Sequence, residues 1–204
     1  TLSARWVAVE PDNAAAWLQQ AHAAHLQVDA AAETDAMHRA SLAPRYQPPS
    51  AWMPALLDAQ LPAELRGEPR LVLQIGASAA AVGLSTMAMA ALDHCRQAAA
   101  EDPNRAQTCL RLAELMLAQA PDLVSLNFAE ALGRHAGWPE ERQAALRNER
   151  EALMSVQQRD PPAAVGANGQ VTLSCLQILQ GGATLQRMAR MGELAALRAW
   201  RRGV

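Results

Sequence analysis

The chain has 204 residues, half of them hydrophobic, and a formal net charge of −2. That length supports one domain with a substantial core, and the composition excludes a disordered chain. With only five Trp, one Tyr and one Phe among many Ala and Leu, it favours closely packed helices over a sheet. All 18 basic residues are Arg. Without Lys there is no Schiff-base, Walker-type or Ser–Lys chemistry within these residues, and the charge offers no footprint for nucleic acid. The chain opens at Thr1, and "RWVAVE" reads as the end of a repeat unit. A piece of a longer protein is therefore expected, and a leader upstream is left open.

The first complete elements lie in "EPDNAAAWLQQAHAAHLQV". Asp12 or Asn13 offers an N-cap, and Trp17, Ala21, Ala24 and Val28 recur on one helical face. A second helix is expected over 30–42, with Ala32, Ala36 and Ala40 on one side, small enough for close helix contact. The "PDN" lead-in, Trp17, the small Ala21 and Ala40, 23 residues after Trp17, together resemble a tetratricopeptide repeat. Gln20, Ala24 and Glu33 depart from that pattern. The resemblance covers about residues 1–46 and implies an antiparallel helix pair that binds protein on a concave face. It implies no chemistry.

"APRYQPPSAWMP" over 43–54 is a Pro-rich connector. Ser50 is expected to cap a short helix over 51–59. A helix is then expected from Pro69 to about Val82, broken by Gly83, with another from Ser85 to about Ala100. Asp102 caps and Pro103 opens a helix to about 119. A further helix spans 122–136 and stops at Gly137, with Trp138 as the hydrophobic residue behind the turn. Pro139, Glu140 and Glu141 open the next, to about Gln157. Residues 159–169 read as a loop. The last helix starts near Ser174, with a kink expected at Gly181–Gly182. No strand pattern is evident.

Cys95 and Cys109 stand at equal distance from the turn at Asp102. Antiparallel packing puts them at one height on a shared seam, with Leu84, Ala88 and Ala91 on the first side and Leu112, Ala113 and Met116 on the second. A disulfide is expected, which requires Cα atoms about 4.4–6.8 Å apart; two buried thiols are the alternative. The bond implies an oxidising compartment such as the periplasm; free thiols would imply the cytoplasm. The spacing of these cysteines also resembles that of exported helical proteins of Gram-negative bacteria. Cys175 is left over, read as buried.

"LVLQIGASAAAVGLSTMAMAAL" over 71–92 carries no charge. It has the length of a membrane span, but its polar residues and glycines favour a buried helical hairpin. His22 and His25, three residues apart with His38 on the paired helix, have the spacing of zinc ligands, but read better as solvated surface. His94 and His135 have no evident companions. Acidic residues are scattered, so a two-carboxylate site is not locatable. The basic segment 185–204 reads as a capping helix that packs Leu185, Met188, Ala195 and Trp200.

These readings define an all-α chain of antiparallel hairpins, a short tetratricopeptide-like solenoid or an irregular α–α array. One helical domain over 1–204 is expected: a repeat-like unit at 1–46, a connector and short helix at 47–68, and further hairpins at 69–204. The expected function is a non-catalytic scaffold or adaptor of the bacterial cell envelope. Its partner is another protein or peptide, met by Gln20, His25 and Arg39, with no cofactor, metal, nucleic acid or membrane span. The alternatives are an inhibitor or immunity protein that neutralises a toxin, and an enzyme with a carboxylate-based site. A deep pocket with two carboxylates of raised pKa would favour the enzyme.

Overall fold

The computed structural model describes residues 1–84, 87–96, 102–157, 164–165, 171–172 and 175–203. Eleven helices run through them: α1 Leu2–Val9, α2 Ala14–Leu26, α3 Ala30–Leu42, α4 Pro49–Gln60, α5 Glu68–Leu84, α6 Ala88–Arg96, α7 Pro103–Gln119, α8 Leu123–His135, α9 Glu140–Gln157, α10 Cys175–Met191 and α11 Glu193–Arg201. The fold is all-α. β1 Ala164–Val165, inside the stretch read as a loop, pairs antiparallel with β2 Val171–Thr172 just beyond it, a two-residue ladder too short to show as alternation.

Side-chain caps fix several helix starts. Asn13, Asp29, Asp102 and Asp122 each accept a hydrogen bond from a first-turn amide. Ser50 does not cap α4. The helix begins one residue before it, behind Pro48, with Pro49 in the first turn, because Pro needs no amide partner there. Helix α5 continues through Gly83 to Leu84, and α10 through Gly181–Gly182 without a break. A Cβ at Gly181 would stand 3.6 Å from Leu71, an ordinary van der Waals contact, so α10 packs beside α5 there with room for Ala. The chain turns instead at Gly192, φ +82°, and α11 buries Leu194 and Leu197 while Ala195 is exposed.

Helices α2 and α3 form an antiparallel hairpin, and α7 and α8 another; α4 pairs with α5, and α10 lies against both. Between the two hairpins runs the connector 44–47. Asn13 Oδ1 accepts from the Gln47 amide, and Asn13 Nδ2 donates to the Gln47 carbonyl. On the other side, Gln119 Oε1 accepts from the Tyr46 amide and Gln119 Nε2 donates to the Pro44 carbonyl. Tyr46 is buried, its hydroxyl 3.3 Å from Ser125 Oγ on α8. The core continues through Leu18, Met37, Leu112, Met116, Leu126 and Leu132.

At the end of α8, the Trp138 ring lies so close to Gly133 that a Cβ there would stand 2.0 Å from it. Trp138 Nε1 donates to Glu114, which also takes two hydrogen bonds from Arg142. The Gly137 turn and the buried Trp138 follow the expected helix stop.

Cys95 and Cys109 are bonded, with Cα atoms 5.8 Å apart. Leu84 does not share their seam; it ends α5 and is half exposed. Nor do residues 71–92 form a buried hairpin. Helix α5 joins α4 and α10, whereas α6 joins α2 and α8. Among the described residues, no helix is long and apolar enough to cross a membrane. Cys175 opens α10, and its side chain lies outside the described residues.

Val28 leaves the expected stripe altogether. Helix α2 has ended, and Val28 turns the chain at φ +58°, 91% exposed. A β-branched residue strains that conformation, which Asn tolerates. Val28→Asn should therefore raise stability by about 0.5–1 kcal/mol in urea unfolding; a loss would contradict the assigned turn. For the disulfide, alkylation of unfolded protein should label Cys95 and Cys109 only after reduction. Replacing both by Ala should cost about 3 kcal/mol, the chain-entropy value for a loop of this size.

Candidate functional site

The three residues expected to meet a partner all lie on the α2–α3 hairpin, at different levels. Arg39 sits over the Trp17 ring, 5.1 Å from its centroid, and pairs with Asp35. His25 lies opposite Glu33, with Nδ1 3.1 Å from Oε2. Trp17 and His25 are eight residues apart on α2, about 12 Å along the axis, so Arg39 and His25 mark opposite ends. Gln20 is half-buried, and its Oε1 has no hydrogen-bond partner among the described residues.

His94 has a companion that its sequence neighbours do not disclose. Glu33 Oε1 lies 3.6 Å from His94 Nδ1, while Oε2 faces His25. Burial pushes the His94 imidazole below its usual range, Arg105 adds to this, and Glu33 opposes it. No group of three or more His, Cys, Asp or Glu suited to a metal occurs among the described residues.

Two other features lie on opposite sides of the α4–α5 pair. On the outer side, Met53, Leu56 and Leu57 face Val72, Leu73 and Ala77 across a groove of about 660 Å³. No charged residue lines it, and Leu56 and Val72 are more than half exposed. Asp58 fixes the two helices in register, accepting from both Arg70 and Gln74. Satisfying Asp58 on one edge leaves the apolar edge open.

On the inner side, a cavity of about 190 Å³ lies between α4, α5, α10 and the first turns of α8 and α11. Asp122 and Glu193 both line it. Asp122 caps α8 through Oδ1, which accepts from Ser125. Its Oδ2 is buried without a partner among the described residues. Glu193 accepts from the Leu123 amide, and the Leu194 amide donates to Pro121, so the two helix starts meet head to head. Burial pushes the Glu193 carboxyl above the usual range; the Leu123 hydrogen bond opposes this, and the Asp122 charge adds to it.

Asp122 was legible in the sequence as a helix start, but its partner is 71 positions away and nothing local links them. The groove had a local signal, the charge-free run 71–92, which reads equally well as a buried hairpin. No known protein family, curated protein or solved structure matches the chain.

The raised Glu193 pKa has a definite sign. Near pH 4 the carboxyl is protonated in both folded and unfolded chains. As pH rises through the folded value, the unfolded chain has already released its proton, and folding loses stability. Glu193→Gln retains an acceptor for Leu123 and removes the charge. Its stability relative to the native protein should therefore increase from about pH 4 to about pH 8. A difference that is flat with pH in urea unfolding would refute the buried position of Glu193.

Proposed function

We propose that this is a non-catalytic scaffold or adaptor protein of the bacterial cell envelope, and that its α4–α5 groove holds an amphipathic helix of a partner protein. The observation that carries the reading is the charge-free groove lined by Leu56, Val72 and Leu73. An open apolar patch of this kind on a soluble domain marks an interaction surface. A partner must bring an equally uncharged apolar face, which a helix supplies with anchors at i, i+3, i+4 and i+7. On α4 the groove is lined from Met53 to Gln60, about 10 Å or roughly two helical turns. That length matches the span from i to i+7 of one amphipathic helix.

The repeat-like N-terminal hairpin supports a scaffold role by analogy with tetratricopeptide proteins. The Cys95–Cys109 bond supports an oxidising compartment, the periplasm being the natural one. In this reading Gln20, His25 and Arg39 form a second surface on the other hairpin.

The test uses a helical peptide with leucines at i, i+3, i+4 and i+7, against a scramble of the same composition. The ordered peptide should bind and the scramble should not. Leu56→Glu and Val72→Glu, both at exposed positions, should leave stability within about 0.5 kcal/mol and abolish binding. Arg39→Ala should bind normally. Equal binding of both peptides, or a dimer held by the groove in analytical ultracentrifugation, would overturn the assignment.

A further inference from the structure

We infer that the contact of His94 with Glu33 is an acid-sensitive latch, which holds α6 against the α2–α3 hairpin and loosens as pH falls. The His94 side chain is only 4% exposed, and its Nδ1 lies 3.6 Å from Glu33 Oε1. Glu33 is itself largely buried, and its Oε2 lies 3.1 Å from His25 Nδ1. One carboxylate thus stands between two imidazoles on different helices. With both imidazoles protonated, two positive charges would share one negative charge.

The other groups around His94 do not supply a free counter-charge. From α7, Arg105 adds positive charge. Asp102 opposes it, but its carboxylate caps α7, accepting from the Asn104 and Arg105 amides. On α6 itself, Asp93 pairs with Arg96, and His135 of α8 interacts with Arg96. The closed site therefore suits a neutral imidazole: burial and Arg105 disfavour the charged form, and Glu33 and Asp102 offset them only in part.

Parting α6 from the hairpin lets the imidazole meet water and bind a proton as an ordinary His does, near pH ~6.5. Opening is thereby coupled to the uptake of one proton. Above about pH 6.5 neither form binds that proton, and the latch is at full strength. Below it the open form gains the proton first, and the latch weakens until the closed form titrates as well. The next residue, Cys95, is bonded to Cys109 on α7, so the loosened helix stays tethered to the domain.

The test is amide hydrogen exchange of the native protein between pH 8 and pH 5, corrected for intrinsic rates. Protection of Leu92 and Cys95 in α6 should be constant at the alkaline end. It should then fall about tenfold for each pH unit below ~6.5, while Met116 in α7 and Leu132 in α8 keep theirs. His94→Gln should remove the slope, and His25→Gln should retain it. If His94→Gln fails to fold, titration of the His94 ring protons in the native protein decides, with a midpoint expected below ~6.5. Protection in α6 that is flat with pH, a slope that persists in His94→Gln, or a ring midpoint at or above ~6.5 would overturn the latch. A parallel loss of protection in α7 and α8 would also overturn it, because that is acid unfolding of the whole domain.

Discussion

Four connector residues, 44–47, are held between two side-chain amides, and the arrangement of the helices depends on that clamp. Pro44 has no amide hydrogen, so the segment has three backbone donors to satisfy. Arg45 donates to the Asp12 carbonyl, Tyr46 to Gln119 Oε1 and Gln47 to Asn13 Oδ1. Asn13 is fully buried and uses its whole amide: Oδ1 accepts from Ala15 and Gln47, and Nδ2 donates to Glu10 and the Gln47 carbonyl. One side chain therefore starts α2 and also stands in for a strand partner of the connector. Gln119, at the end of α7, does the same from the other side. The N-terminal hairpin and the α7–α8 hairpin thus share a polar seam as well as an apolar core.

The clamp also sets where the candidate sites lie. The connector leads through Pro48 directly into α4, so the start of α4 is anchored beside α8, where Tyr46 meets Ser125. Once α4 is placed, the Asp58–Arg70–Gln74 hydrogen bonds set α5 alongside it. The same two helices then present an apolar groove outward and the Asp122–Glu193 cavity inward. Occupancy of one face has a physical route to the other, because α4 and α5 contribute walls to both.

Local punctuation was legible in the sequence. Asn13 and Asp102 mark helix starts by a mechanism that acts within one turn, and Gly137 with Trp138 marks a stop in the same way. The disulfide was legible because the two cysteines stand at equal distance from the helix start at Asp102. What failed was local chemistry overruled by tertiary contact. The glycines at 181 and 182 read as a kink, yet the helix is continuous through both. Val28 continues the spacing of the stripe but falls beyond the helix end. The pairing of His94 with Glu33, the acid pair Asp122–Glu193 and the clamp on 44–47 all join residues more than 30 positions apart. No spacing rule reaches that far.

Unfolding of Asn13→Ala in urea separates the clamp from simple capping of α2. Losing an ordinary helix cap costs about 1 kcal/mol. Asn13→Ala also strips the Gln47 amide and carbonyl of their side-chain partners, and each such group left unsatisfied costs about 1–3 kcal/mol. A loss of about 3 kcal/mol or more is expected, with the dependence on urea unchanged. A loss of only about 1 kcal/mol would show that Asn13 does no more than cap α2, and that the connector is held by other means.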